Sequence, residues 1–427
     1  MKPTIQSPLN SSFAPFKEKI FRSLWIGSFI SNIGTWMQNI GVSWVAATMS
    51  ASPLMIALIP VAASFPALVC SYPAGVISDY TDRRKWLIYL QLFLFVALAI
   101  LSVLTQIHLL NITVLIVFSF IVGLGSAFSV PVWQAITPEI VSADNMKEAI
   151  ALNGVNFNLA RAVGPALGGV LLVYGGIQSI FLFNAVSFLA LVVGLYNWHN
   201  VRMAVKPQPF KSAFTEGLKA VSRSANFKSL LLRTVSFTCF VSVIFAILPH
   251  LSKYEWHQSS KAYTGLWVSL GIGALTGSLF YKNVTTFFLS YKVVWGSCTL
   301  VGLSMIILSQ INSVLIIDIL MFIIGIGWIW ATSTLNILAQ LYSPKELKGR
   351  FLATNVTVFQ GSLALSGAFW GYLSLKTGSI AVLTVSGVAM VLFSAILVFF
   401  PMEEPSSEPA AWVACSAPIL LPEQKSA

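Results

Sequence analysis

Gly75-Val-Ile-Ser-Asp79-Tyr-Thr-Asp82-Arg83-Arg84-Lys85 is a dense run of charge set between two long apolar stretches, 54–77 and 86–106. Each stretch has about the 20 residues that an α-helix needs to cross the hydrocarbon core of a bilayer. The charged run therefore reads as the turn between two membrane helices. Gly75 stands one turn before Asp79, where the missing side chain lets another helix approach closely. An acid at the membrane face is favoured beside a helix N-terminus, and Arg83 can pair with Asp79. Such a cluster ties two helix ends together and can let go. A plain solvated loop would explain the basic residues, but not the glycine or the acids interleaved with them.

The same alternation runs the length of the chain. Of 427 residues, 56% are hydrophobic and 9% charged, where a soluble domain has about 25% charged. The mean hydropathy is +0.82. These values exclude ordinary soluble enzymes and nucleic-acid binders, and long unbroken apolar runs exclude an outer-membrane barrel, whose segments alternate. Runs at 22–48, 54–77, 86–106, 112–133, 149–174, 178–198, 229–249, 262–281, 291–309, 313–334, 350–374 and 379–400 predict an all-α integral membrane protein with twelve helices. The longest polar break divides the chain into a tail (1–21), a six-helix bundle (22–198), a central loop (199–228), a second six-helix bundle (229–400) and a tail (401–427). In the central loop, Phe210, Phe214, Leu218 and Val221 recur at helical spacing among Lys206, Lys211, Lys219, Arg223 and Lys228, which predicts a segment lying on the membrane surface.

The net charge is +11. With the N-terminus placed inside, 21 of the 25 Lys and Arg residues fall on the inner side, and Lys253, Lys261 and Lys376 on the outer. The positive-inside rule then predicts both termini in the cytoplasm, and the charge is explained without nucleic acid. Cys70, Cys239, Cys298 and Cys415 lie far apart and form no CxxC pair, so no metal site, cofactor or disulfide framework is expected. No cleavable signal is visible, and the first span is expected to serve as the insertion signal.

The two bundles echo each other. Gly123-x-Gly125 recurs as Gly325-x-Gly327, 202 positions on, and Pro138-Glu139 as Pro344 with Glu346. Gly164 and Gly168 recur as Gly367 and Gly371, 203 positions on. A near-constant offset in constant order predicts parallel repeats related by a pseudo-two-fold axis.

At this point a family resemblance enters. Gly75, Asp79, Arg83 and Arg84 fit the G-x-L-A-D-x-x-G-R-[KR] signature of the major facilitator superfamily, with Asp82 in place of its second glycine. The D-x-x-D-R-R form resembles the branch that holds the bacterial enterobactin exporter and macrolide efflux proteins, the transmembrane secretion effectors. Phe21-Arg22-Ser-Leu-Trp25, Ser31-Asn32-Ile-Gly34-Thr-Trp36-Met37-Gln38 and Pro66 ahead of Tyr72-Pro73 agree with it. The resemblance implies a multi-pass transporter of the bacterial inner membrane, an exporter, with Gly75, Asp79, Asp82, Arg83 and Arg84 as a cytoplasmic gating motif. Gly164, Pro165, Gly168 and Gly169 resemble the exporter motif of the fifth helix, although Ala160 replaces its upstream glycine. Simple small-residue packing gives the same pattern.

Several polar residues lie where lipid would penalise them. In the first span, Ser28, Ser31, Asn32, Thr35, Gln38, Asn39 and Ser43 recur every three or four residues. That face meets either a central cavity, with Asn32, Gln38 and Asn39 as solute contacts, or another helix. Arg161 lies about 12 residues into its span, roughly 18 Å from the edge and near the midplane, with Asn153, Asn158 and Phe157 on the preceding turns. It is either a counter-ion for an anionic solute, with Asn158 beside it, or a structural arginine held by carbonyls. Asp318 is the acid inside the tenth span. It either carries a coupling proton or sits at a wet mouth, and Trp328, Trp330, Ser333, Thr334 and Asn336 follow it as weaker cavity candidates.

The residues and the resemblance together predict a monomeric exporter of a small organic anion, such as a siderophore, coupled to protons. Drug or macrolide efflux is the alternative within transport. An embedded enzyme would need acids paired with His108, His199, His250 or His257, and an ATP-driven pump a GxxxxGK[ST] loop; neither is present in the sequence.

Overall fold

The computed structural model describes residues 13–142, 145–196, 198, 219–344 and 348–399. A short 3-10 turn, Ala14–Lys17, leads into α1, Lys19–Met49. Then come α2 (Pro53–Tyr80), α3 (Arg83–Gln106) and α4 (Ile112–Ile140). The helical stretch Met146–Tyr196 is broken at Gly176, giving α5 (146–175) and α6 (177–196). The second set is α7 (Ala225–His250), extended by a π-helical turn at Leu251–Glu255, then α8 (Ser260–Phe287), α9 (Ser290–Leu308), α10 (Val314–Leu341), α11 (Lys348–Thr377) and α12 (Ser379–Val398). The twelve helices follow the twelve apolar runs, and all but α6 and α12 overshoot them at the face where the chain enters α1, called here the near face. There α4 continues to Ile140, past the apolar run that ends at 133.

The ends of the helices are written into the sequence. Asp82 caps α3 by accepting from the Lys85 N–H, Asn111 caps α4, and Ser224 and Ser259 cap α7 and α8. Gly176 (φ 67°) and Gly378 (φ 86°) close the α5–α6 and α11–α12 turns in a backbone region that side-chain-bearing residues rarely adopt. Helices α1 and α11 are too polar to meet the hydropathy of a lipid-facing span, unlike the rest. Several of their polar residues are buried in the protein, among them Ser31, Gln38 and Ser43 on α1 and Asn355, Ser366 and Ser374 on α11.

Packing repeats from one half to the other. In the first half, α1 lies on α5 and α6, α2 on α4, and α3 on α6; in the second, α7 lies on α11 and α12, α8 on α10, and α9 on α12. The paired glycines do matching work. A side chain at Gly123 would strike the Ala63 backbone on α2, and one at Gly325 the Leu270 backbone on α8. A Cβ at Gly125 would lie 2.6 Å from Leu94 on α3, and one at Gly327 2.6 Å from Val301 on α9.

The other echo does not hold in space. Gly164 and Gly168 face α1 within their own half, where added Cβ atoms would lie 2.6 Å from Trp36 and 3.0 Å from Met37. Gly367 and Gly371 instead face Val61 and Ala57 on α2, across the halves. In the central loop, Phe210, Phe214 and Leu218 lie outside the described residues. Val221 is buried with the core of the second half, so it does not lie on the membrane surface.

The halves meet along α2–α11 and α5–α8. Among the described residues these contacts include Ala162 with Gly271 and Leu68 with Gly361 at mid-depth and a group at the far face. At the far face Trp44 stacks on Tyr263 at 5.0 Å, and the Tyr254 hydroxyl donates to the Ala47 carbonyl at 2.9 Å. His250 Nε2 lies 3.2 Å from the Ala51 carbonyl. A carbonyl only accepts, so Nε2 carries the proton and Nδ1 accepts from the Ser379 hydroxyl at 2.9 Å.

Candidate functional site

Between the halves lies a cavity of about 490 Å³, within the roughly 300–1,000 Å³ of small-molecule sites. Both walls mix polar and aromatic side chains, Trp36 and Phe157 among them in the first half, and the charged group, Arg161, stands in the first. Helices α1, α2, α4 and α5 contribute Gln38, Asn39, Ser43, Ser64, Ser119, Asn158 and Arg161. Helices α7, α8, α10 and α11 contribute Phe245, Trp267, Trp328 and Phe359, with Thr332, Ser333, Asn336 and Gln360 nearer the near face.

Arg161 dominates the wall of the first half. The residue is 9% exposed, and its guanidinium carbon lies 5.2 Å from the Trp36 ring, 5.3 Å from Phe157 and 5.6 Å from Trp328. Cation–π attraction of this kind is strengthened by removal from water. Yet Nε and Nη1 are buried without a hydrogen-bond partner among the described residues. Buried donors left unpaired cost about 1–3 kcal/mol, and more when charged. Held by rings alone, this cation keeps donors free for an acceptor.

The other sequence candidates separate cleanly. Gln38 lines the cavity while its Oε1 accepts from Asn184 Nδ2 at 2.5 Å. Asn39 is exposed into the cavity. Asn158 lines it and donates to the Gly154 carbonyl at 3.0 Å. Asn32 is not part of the lining: its amide donates to Asn156 Oδ1 at 2.9 Å, and Asn156 in turn donates to the Trp25 carbonyl. It joins α1 to α5. Asn153 turns to Thr137 on α4 at 3.2 Å. Trp328, Ser333 and Asn336 line the cavity. Trp330 instead donates to the Gly277 carbonyl, and Thr334 bonds with Tyr281. Asp318 lies outside the lining, half-buried, and accepts from the Ser269 hydroxyl on α8 at 3.2 Å. In α5, Gly164 and Gly168 seat α1, Pro165 is buried, and Gly169 abuts Thr264 on α8, across the halves.

A second cluster gathers at the near face. Arg83 forms an ion pair with Glu139 at the foot of α4. Arg84 Nε and Nη2 donate to the last carbonyls of α6, Leu195 at 2.9 Å and Tyr196 at 2.6 Å. Asp82 caps α3 rather than bridging helices. Gly75 and Asp79 fall on α2, where their side chains lie outside the described ones. Four helices thus converge on this turn: α2, α3, α4 and α6. Sequence reading missed Glu139 as a partner, although its echo of the second half had marked it. It also missed Phe245, Trp267, Phe359 and Gln360, which carry no signal in an apolar helix until the halves are docked.

A central cavity between two repeated six-helix bundles, with a charged turn at one face, is the architecture of a major facilitator transporter. Residues 10–421 match the transmembrane secretion effector family, and the chain belongs to it. It is 22% identical to the staphyloferrin A transporter of Staphylococcus aureus (strain NCTC 8325 / PS 47), over 87% of this chain and 94% of that one. It is 25% identical to the enterobactin exporter EntS of Salmonella typhi (88% and 91%) and 23% identical to the multidrug efflux pump Tap of Mycolicibacterium fortuitum (92% and 97%). Among solved structures, a bacterial homologue of the human lysosomal transporter Spinster, in an inward-facing and unoccupied conformation, superposes with a TM-score of 0.67 at 16% identity, covering 90% of this chain and 96% of that one. The chain is a multi-pass membrane transporter of small molecules.

Proposed function

We propose that this chain is a secondary active exporter of the bacterial inner membrane, with its near face and both termini in the cytoplasm, and that it moves a small anionic secreted metabolite, such as a siderophore, by alternating access. The observation that carries this reading is Arg161: a buried guanidinium at the cavity wall with Nε and Nη1 unpaired. A carboxylate or phenolate on the solute supplies the missing acceptor. A guanidinium is unsuited to shuttling protons, so its role is to hold charge. The relatives named for siderophores support the substrate class, and the family supports the direction. At the far face Trp44 stacks on Tyr263 and Tyr254 bonds to Ala47 across the halves, an arrangement suited to loading from the near face. The motif from Gly75 to Arg84 acts as the gate, and the cavity is complete within one chain, as a monomer requires.

The test is metabolite profiling of the medium and cytosol of wild-type, deletion and complemented strains. One anionic product should accumulate inside the deletion strain and return to the medium on complementation. Unchanged profiles would refute metabolite export. Proton coupling belongs to the same reading, with Asp318 as the embedded acid. Asp318→Asn is expected to flatten the dependence of transport on the pH gradient, whereas full gradient-driven transport in the mutant assigns coupling elsewhere. Multidrug efflux is the second reading, supported by the aromatic lining and by the relation to Tap. Broad export of unrelated neutral drugs would favour it.

A further inference from the structure

Both halves line the cavity with polar and aromatic side chains, and the aromatic group of the second half reaches Arg161 of the first. On the second half, Phe245 packs 5.4 Å from Trp267 and 5.1 Å from Trp328, and Trp328 lies 6.2 Å from Phe359, centroid to centroid. All four line the cavity. They form one continuous aromatic surface contributed by four helices, α7, α8, α10 and α11. The rings meet one another tilted or edge to face, the geometry in which aromatic pairs prefer to pack. Trp328 is also the ring that the Arg161 guanidinium meets from the other half, at 5.6 Å. The Arg161 guanidinium, with two unpaired donors, is therefore in contact with the aromatic group. Opposite it, Asn39, Ser43 and Asn158 offer amides and a hydroxyl. A solute with charge at one point and saturated carbon elsewhere would match Arg161 but gain no stacking. A neutral arene would stack but leave the guanidinium donors unpaired.

Resting on the reading of Arg161 as a counter-ion, we propose that the solute is an aromatic acid: an arene carrying a carboxylate or acidic phenol on or next to the ring, with the ring against Trp328 and Phe359 and the acid on Arg161. Trp328 and Phe359 are then the residues that select aromatic over aliphatic anions.

The experiment uses full-length protein in lipid nanodiscs and isothermal titration calorimetry with three matched probes: naphthoate, decahydronaphthoate and naphthamide. They share a skeleton and differ in ring unsaturation or in charge. Naphthoate is expected to bind about tenfold tighter than its saturated analogue, the size of one good aromatic contact. That ratio should fall to about one in Trp328→Leu/Phe359→Leu and persist in Trp328→Phe, which keeps a ring and controls for folding. Arg161→Gln should weaken both acids alike and leave the ratio in place. Equal binding of the two acids by wild-type protein, a ratio that survives the double Leu variant, or no binding of either acid overturns the proposal. If the acids bind equally but both depend on Arg161, the aromatic assignment fails and the anion reading stands. If the amide matches the acid and Arg161→Gln changes nothing, the anion reading fails and takes this proposal with it.

Discussion

The two halves are alike where backbone touches backbone and unlike where charge is used. At Gly123 and Gly325 the neighbouring helix backbone occupies the space a side chain would need. Arg84 in the first half and Arg233 in the second both donate to carbonyls at the end of the last helix of their bundle, Leu195 and Leu397, which are 202 residues apart. The job is conserved, but the donor comes from α3 in one half and α7 in the other. Phe288-Leu289 stands between α8 and α9 where Thr81-Asp82 stands between α2 and α3, and no ion pair like that of Arg83 with Glu139 is found at the α8–α9 turn among the described residues. Nor is Arg161 repeated: 203 positions on, the offset that relates Gly164 to Gly367, stands the buried Ala364. Close helix contact tolerates no variation, so it preserves the repeat. The charged turn and the cavity cation, proposed above as gate and solute site, are where the halves have parted.

The largest effect is expected at the shared feature. Gly123→Val and Gly325→Val should each cost about 3 kcal/mol, because backbone cannot yield as a side-chain tip can. Thermal unfolding and yield of folded protein in detergent should fall about equally for the two. A mild effect in one half alone would break the equivalence. Next comes the unshared cation. Arg161→Ala should weaken an anionic solute by about 2 kcal/mol, roughly 30-fold, with little change for a neutral analogue. Arg161→Lys should recover only part of this, since the planar fork is lost. Equal loss for charged and neutral solutes in a well-folded Ala variant would make Arg161 structural.

The smallest change in stability belongs to the latch. Arg83 and Glu139 are about one-fifth exposed, so Glu139→Gln should cost under about 1 kcal/mol of stability while slowing transport severalfold. Arg83→Glu with Glu139→Arg should transport better than either single variant. If the double variant is no better, the charges act separately. Asp79→Asn should likewise insert normally and transport poorly. Wild-type rates in that variant would reduce the turn to a solvated run of charge.

The helices and the repeat were legible because each rests on a local signal. Twenty apolar residues must form a membrane helix, since lipid offers the backbone no other partner, and glycines at a constant offset mark contacts that have not moved. The polar residues were only half legible. Asn32 and Asn39 occupy one helix and look alike in sequence, yet Asn32 is taken up by Asn156, 124 residues away, and Asn39 faces the cavity. The choice is made by helices packed later, which the local pattern does not encode. The same holds for the echo of Gly164 and Gly168 in Gly367 and Gly371. The spacing is real, but the first pair seats α1 and the second seats α2 of the opposite half. The aromatic group gave no local sign either, because Phe245 or Phe359 in an apolar helix reads the same whether it meets lipid, core or solute.

Gly176 and Gly378 are also 202 residues apart, and each joins two helices through a turn with positive φ and almost no intervening chain. For assembly of the protein this matters before any tertiary contact exists. A span with a long polar loop can enter the bilayer and wait for its partner, but α5 with α6, and α11 with α12, have no such loop to thread across. Each pair is expected to enter as a hairpin, and a β-branched residue at either glycine to be felt first as mis-insertion of that pair.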